Sequence, residues 1–263
     1  MGSSAPLIPE QRHQKLLQLL RQEGVLSTRN LTDYLGVSHM TVRRDIASLE
    51  LSGQVVSVPG GVRIAGSAGQ VPPQERQERA QLELPRKRAI AALAAEAVQD
   101  GMVIYLDAGT TCQSVVPFLD GRSDLTVVTN DFYVVTSLFE HPEIEVIHTG
   151  GLVDKPSASS SGRLAANTLS SINLDIFFMS SGAWSVSRGV SAPSLDKVEL
   201  KRAAMEAASS CMLLADSTKY GTFSKFQVTG LDQLDVIISD SELPDDTQRR
   251  IEELGVQMRA AAV

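Results

Sequence analysis

Two folded parts are predicted for this chain of 263 residues: a winged helix-turn-helix, then an α/β domain built on a largely parallel sheet. Three observations carry that expectation. The first 66 residues hold three helical stretches and a β-prone pair, a glycine- and proline-rich stretch follows, and from Pro85 strand-length apolar runs alternate with helix-length segments. Boundaries are placed at 1–66, 67–85 for a linker and 86–263.

Pro9 to Glu23 sets Leu16, Leu17, Leu19 and Leu20 at helical spacing, with Gly24 as a stop. Ser27 is an N-cap for a second helix through Leu31, Tyr34 and Leu35, ended by Gly36. Ser38 caps a third helix with apolar positions Val42, Ile46 and Leu49, closed by Gly53. Val55 to Val58 and Val62 to Ile64 flank Pro59, Gly60 and Gly61 as a hairpin. Gly36 and Val37 alone join helices two and three, the short turn of a helix-turn-helix. With Val42, Ile46 and Leu49 facing inward, a wheel of about 100° per residue turns Met40, Arg43, Arg44 and Ala47 outward. Such a face suits a groove: arginines reach guanine edges or phosphates, and a capped helix end receives a phosphate. Arginines solvating one face of an ordinary helix are the alternative.

Gly60 to Pro85 holds Gly66, Gly69, Pro72 and Pro73, then the charged run Glu75 to Arg79, read as a linker ending in a short exposed helix. Beyond it, Arg86 to Gln99 is predicted helical. Strands are expected at Met102 to Leu106, Leu125 to Val128, Ile144 to His148, Ile176 to Met179, Met212 to Ala215 and Val236 to Ser239. Five of them are followed by small polar residues: Asp107-Ala-Gly-Thr-Thr, Thr129-Asn-Asp, Thr149-Gly-Gly, Ser180-Ser-Gly and Asp216-Ser-Thr-Lys. In open α/β sheets the ligand crevice lies at the carboxyl ends of the strands, so these loops are expected to converge. Gly109, Thr110 and Thr111 open a helix and offer a phosphate cradle, Lys201 and Lys219 offer charge, and Asp107, Asn130 and Asp216 offer bonds to sugar hydroxyls. Ser157 to Ser161 reads as a flexible loop, and Trp184 as a packing residue or a lid.

Several functions are excluded or weakened. His13, His39, His141 and His148 form no HxxxH or HxH pair, and Cys112 and Cys211 no CxxC, so no metal site is expected. No GxGxxG or GxxxxGK[ST] is present, which argues against a nucleotide cofactor. The cysteines read as reduced thiols, and neither a signal peptide nor a run near 18 apolar residues is found; a cytoplasmic protein without membrane contact is expected. The net charge of -7 divides unevenly: residues 1–66 hold 7 basic and 5 acidic side chains, leaving 17 and 26 for the remainder. A mildly basic module therefore precedes an acidic one, which keeps DNA binding open despite the acidic average. Asp107, Asp216 and Lys201 would also serve proton transfer on a sugar phosphate, so an isomerase with an accessory DNA-binding domain is the alternative.

The run Ser38-His-Met-Thr-Val-Arg-Arg-Asp-Ile-Ala-Ser-Leu-Glu, with Gly60-Gly61, resembles the DeoR family of bacterial transcriptional regulators. The second half is similar to that family's sensor through Leu106-Asp-Ala-Gly-Thr-Thr, Val128-Thr-Asn, Thr149-Gly-Gly, Val198-Glu-Leu-Lys-Arg and Ala215-Asp-Ser-Thr-Lys-Tyr-Gly. The resemblance implies a repressor of a carbohydrate or sugar-acid operon, a sensor related to sugar-phosphate isomerases, a phosphorylated effector and a homo-oligomer, dimer or tetramer. It carries no catalytic residue and no cofactor. The implied contacts to double-stranded operator DNA are Ser27, Arg29, Ser38, His39, Met40, Thr41, Arg43, Arg44, Gly60 and Gly61. The implied effector residues are Asp107, Gly109, Thr110, Thr111, Thr129, Asn130, Gly150, Gly151, Gly182, Lys201, Asp216 and Lys219. Two departures stand out. The wing reads Val58-Pro59-Gly60-Gly61 where the family commonly has Arg-x-His-Gly-Gly, and Lys197-Val198 replaces Glu-Ala, adding positive charge that suits a sugar-acid phosphate.

Overall fold

The computed structural model describes residues 8–23, 25–52, 54–58, 60–64 and 76–263, in two compact units divided between Val71 and Pro72. In the first unit, α1 (Pro9–Glu23), β1 (Val25–Leu26), α2 (Thr28–Leu35) and α3 (His39–Leu51) precede a hairpin of β2 (Val55–Val58) and β3 (Gly61–Ile64). Ser27 caps α2 by accepting the Asn30 N–H at 3.1 Å, and Ser38 caps α3 by accepting that of Thr41 at 3.2 Å. Gly36 ends α2 with φ 64°, the left-handed geometry that turns the chain toward α3. Gly53 and Pro59 lie outside the described residues.

Leu16, Leu20, Leu31, Leu35, Val42, Ile46, Leu49, Val55 and Val62 form the core of this unit. Tyr34 is 51% exposed, at the flank of the buried stripe of Leu31 and Leu35. β3 is the middle strand, antiparallel to both β1 and β2. A side chain at Gly61 would sit 2.3 Å from the Leu26 carbonyl oxygen, so only glycine lets β3 approach β1. That packing need accounts for Gly61 independently of DNA.

One charged network is built into this core. Asp45, on the inner face of α3, accepts Arg12 Nε at 2.6 Å and Nη2 at 2.8 Å, with His13 Nε2 3.1 Å away. The bidentate pair bolts α1 to α3.

The second unit holds a seven-stranded, wholly parallel sheet in the order β15-β14-β12-β9-β4-β5-β6. Its strands are β4 (Val103–Leu106), β5 (Thr126–Thr129), β6 (Glu145–His148), β9 (Leu174–Ser180), β12 (Ala208–Leu214), β14 (Val236–Asp240) and β15 (Gln257–Ala261). Side chains alternate between two cores. Ile104, Leu106, Ile176, Phe178, Leu214 and Ile238 meet α5 (Leu84–Ala95) and α7 (Phe132–Leu138) on one face. Tyr105, Phe177, Met179, Leu213 and Ile237 meet α8 (Arg163–Leu169) and α9 (Leu195–Ala207) on the other, together with the small antiparallel sheet of β10 (Trp184–Ser185), β11 (Gly189–Ala192) and β13 (Phe226–Thr229). Trp184 is buried in that second core, edge-on to Tyr220 at 5.1 Å; it packs and does not form a lid.

Two expectations are corrected here. The helix expected from Arg86 starts at Leu84, with Pro85 in its first turn, where a missing N–H costs nothing. The short helix α4 (Arg76–Gln81) is anchored rather than exposed, because Arg76 is buried 3.0 Å from Asp131. Cys112 and Cys211 are buried free thiols, pushed up by burial, Cys211 to about 11, which keeps both inert as nucleophiles. Among the described residues no helix is long and apolar enough to cross a membrane.

The Asp45 network yields a prediction. Burial works against the Asp45 carboxylate, but the bonds from Arg12 and His13 outweigh it and hold its pKa below the usual value. A carboxylate lowered on folding contributes stability above about pH 4 that is lost as pH falls through the folded value. Asp45→Asn removes the charged acceptor that Arg12 and His13 share and should cost about 1.5–3 kcal/mol at neutral pH, read as lost hydrogen-exchange protection in residues 8–64. The gap to wild type should narrow on acidification below pH 4; a gap constant with pH would show the network to be unimportant.

Candidate functional site

The site follows from the order of the parallel strands. From β4 the sheet grows outward through β5 and β6, and from β9 it grows the opposite way through β12, β14 and β15. Between β4 and β9 the connections diverge, which opens a crevice above their carboxyl ends. A cleft lies there, lined by residues of both strand ends and of the loops and helices around them.

Asp107 ends β4 and Ser180 ends β9. The Asp107 carboxylate accepts the Ser180 N–H at 3.0 Å and pairs with the Lys201 ammonium, which also donates to the Ser180 carbonyl at 2.7 Å. Lys201 reaches them from α9, and both charges are buried. From the end of β5, Asn130 Oδ1 accepts the Ala108 N–H at 2.9 Å and Nδ2 donates to the Ser160 carbonyl at 2.7 Å. Asp107 and Asn130 at strand ends and Lys201 of α9 thus line one cleft.

The other expected residues sit differently. α6 (Thr110–Gln113) is only four residues long, and Gly109 gives its N–H to Asp131 at 3.1 Å, so that donor is taken within the protein. A side chain at Gly109 would fall 2.0 Å from the Ser180 hydroxyl, which explains that glycine by close approach. Thr110 and Thr111 are buried. Thr129 is spent internally: its hydroxyl donates to the Leu106 carbonyl at 2.7 Å and accepts the Asp131 N–H at 3.1 Å, tying β5 to β4. Gly150 and Gly151 follow β6, with Gly151 against Ser161 and Ala165, and Gly182 is an exposed residue after β9. Asp216 follows β12 and pairs with Lys219 at 2.7 Å; burial opposes its charge, but Lys219 and Thr218 hold its pKa down. Neither Asp216 nor Lys219 lines this cleft.

Several cleft residues escaped the sequence reading. Ser157 to Ser161 is no flexible loop. Ser159–Ser161 form strand β8, buried and antiparallel to β7 (Leu152–Asp154). Ser157 Oγ donates to Asp154 Oδ2 at 2.7 Å, lies 2.8 Å from Ser159 Oγ and accepts Lys197 Nζ at 3.1 Å; Lys197 is itself 2.7 Å from Asp154. Lys197, the departure noted in sequence, therefore faces the cleft. Arg79 of α4 faces it too. A serine run and a charged run carry little periodic signal, but the pair Arg76 and Arg79, one helical turn apart, would have marked one face of α4.

The metal and DNA residues also have definite places. Among the described residues Asp120, His141 and Glu143 bring ligand atoms within 4.8 Å of one another, with His141 Nδ1 2.8 Å from Asp120. Two exposed carboxylates and one imidazole fall short of the four ligands of a structural zinc site. In the first unit His39, Met40, Arg43, Arg44 and Ala47 are exposed on one side of α3, Met40 at 69%, opposite the buried Val42, Ile46 and Leu49. Arg29 is exposed on α2, and Gly60 turns the hairpin with φ 82°. Solvent-facing arginines beside a capped helix N-terminus form the surface a major groove accepts.

Known proteins match both units. The DeoR-like helix-turn-helix domain matches residues 12–68 and the DeoR C terminal sensor domain residues 83–241. The chain is 41% identical over 245 residues to the uncharacterized HTH-type transcriptional regulator YgbI of Escherichia coli strain K12, covering 93% of this chain and 95% of that protein. It is 39% identical over 252 residues to an uncharacterized HTH-type transcriptional regulator of Haemophilus influenzae, covering 96% and 97%. Ribose 5-phosphate isomerase A from Methanocaldococcus jannaschii aligns at 18% identity and a TM-score of 0.38 over 51% of this chain and 53% of that one. The two family models and the two relatives span both units, and the chain belongs to the DeoR family of HTH-type transcriptional regulators.

Proposed function

We propose that this regulator represses a carbohydrate or sugar-acid catabolic operon in the cytoplasm and is controlled by a phosphorylated metabolite bound above β4 and β9. The observation that carries the reading is the cleft itself. Its wall combines Lys197, Lys201 and Arg79 with Asp107, Asn130 and several serine hydroxyls, a set that pairs with an anion at one point and with hydroxyl groups at others. An apolar ligand would desolvate these charged and polar groups while offering them no bond in return.

On the DNA side, α3 enters the major groove with Arg43 and Arg44 toward bases or phosphates, Ser38, His39, Met40 and Thr41 near its leading end, Ser27 and Arg29 of α2 toward the backbone, and Gly60 and Gly61 in the wing. A balance of only two positive charges over residues 1–66 gives each copy little sequence-independent attraction. Tight operator binding therefore takes paired half-sites and a homo-oligomer, a dimer or a tetramer.

Two outcomes are expected. In gel-shift titrations on DNA selected by the wild-type chain from a random pool, Arg43→Ala and Arg44→Ala each weaken binding by about 1–3 kcal/mol if the side chain reads a base. Undiminished affinity in both variants would return the two arginines to the role of solvated surface. In thermal-shift screening against sugar phosphates and sugar-acid phosphates, one compound at 100 times its dissociation constant stabilises the second unit by about 2.7 kcal/mol and releases the selected DNA. A panel without any stabiliser would leave this unit a mere oligomerisation module.

A further inference from the structure

α4 is the first described element after the wing, and it is fastened to the sensor at both ends. At its start the Arg76 N–H donates to the Pro156 carbonyl at 3.1 Å. The Arg76 guanidinium lies 3.0 Å from Asp131, donates to Gln113 Oε1 at 2.7 Å and covers the Tyr133 ring at 4.5 Å. At its end the buried Lys87 ammonium donates to the carbonyls of Arg79 and Leu82. Between these anchors Arg79 is half-buried and points its side chain into the cleft beside Asp107, Asn130, Ser157, Ser159, Lys197 and Lys201.

The cations here are matched one by one, with a single remainder. Arg76 has Asp131, Lys197 has Asp154 and Lys201 has Asp107. Among the described residues the Arg79 guanidinium makes no ion pair and no hydrogen bond. Burial and the neighbouring charge of Arg76 act against it and outweigh the attraction of Asp131 and Asp154, neither of which comes within ion-pair distance. A partly desolvated charge without a partner is unfavourable, and a guanidinium offers a planar fork suited to the two oxygens of a phosphate or carboxylate.

We propose that Arg79 receives the anionic group of the effector, so that a ligand in the cleft is bonded directly to the helix in which the interdomain segment ends. The inference rests on the cleft being the effector site and adds the regulation of that site. Occupancy supplies a counter-charge to Arg79 on α4, and through α4 acts on the chain that leads to the DNA-binding unit.

Inorganic phosphate is the probe, with acetate and chloride at matched ionic strength as the carboxylate and screening arms, on the full chain and its variants Arg79→Ala, Arg79→Lys and Lys197→Met. Thermal shift is expected to show phosphate stabilising wild type, with the apparent dissociation constant raised about tenfold or more in Arg79→Ala and less in Arg79→Lys. Stabilisation by acetate as well would assign Arg79 to a carboxylate; by phosphate alone, to a phosphoryl group. Hydrogen exchange over residues 76–82 should slow with phosphate in wild type and stay unchanged in Arg79→Ala. Without anion, Arg79→Ala should melt no lower than wild type, because it removes an unpaired cation; a structural arginine would lower the melting temperature. If Arg79→Ala binds phosphate as wild type does while Lys197→Met does not, the role of Arg79 is overturned and the cleft stands as the effector site. If neither phosphate nor acetate stabilises wild type, both fall.

Discussion

Parallel strands whose onward connections leave in opposite directions keep a gap above their carboxyl ends, and the ion pair of Asp107 and Lys201 spans that gap. Asp107 follows β4, accepts the N–H of Ser180, the last residue of β9, and meets a lysine from α9, while the same lysine donates to the carbonyl of Ser180. Three elements from distant parts of the chain meet in this one exchange. A buried pair contributes little net stability over an apolar substitute, but losing one member leaves a charge stranded, so the arrangement is strongly specified. Its value here lies in position: it brings a fixed positive and a fixed negative charge to the floor of a cleft that the topology has already opened.

Around that floor the loops are held by hydrogen bonds and not by apolar packing. Asn130 bridges the turn after β4 to β8, and Thr129 bonds β5 back to the Leu106 carbonyl. Asp131 caps α7 at the Tyr133 and Val134 amides and also takes the Gly109 N–H and Arg76. Burial pushes the Asp131 pKa up against these partners, so the carboxylate depends on them, Arg76 first. The consequence is a rigid polar wall whose donors are oriented before any ligand arrives, which reduces the ordering a ligand must impose. α4 is part of that wall through Arg76, although it lies next to the interdomain segment in sequence.

What was legible in the sequence follows from which physical signal each element leaves. α1, α2 and α3 bury one face over two or more turns, so leucines and valines recur at helical spacing, and the capping serines and Gly36 mark their ends. β4, β5, β9, β12 and β14 are covered on both faces and read as apolar runs. β15 stands at the sheet edge, and Gln257, Met258 and Arg259 leave no such run. β8 is three serines whose strand conformation comes from pairing with β7 and from Asn130, which composition cannot reveal. In the site, Asp107, Asn130 and Lys201 were legible because they sit at predicted strand ends or in a family motif. Asp45, Arg76 and Arg79 were not: a charged side chain at a buried position looks, in one dimension, like solvated surface. The length of α6 was not legible either, since a helix cannot be measured from its first residues and this one ends after a single turn.

The division of charge gives the two units complementary tasks. The acidic remainder of the chain repels a polyanion, and the DNA-binding unit offers a small positive excess gathered on the exposed side of α3. Affinity for random DNA is then low, and specific affinity depends on oriented contacts. An interaction of that kind is sensitive to small changes in how the contacts are presented, far more than one dominated by bulk charge. A sensor therefore needs only a modest change in the segment between the units to alter occupancy of an operator. An unpaired arginine on the helix where that segment ends, facing a cleft whose other cations already have partners, is a place where one bound anion exerts such an effect.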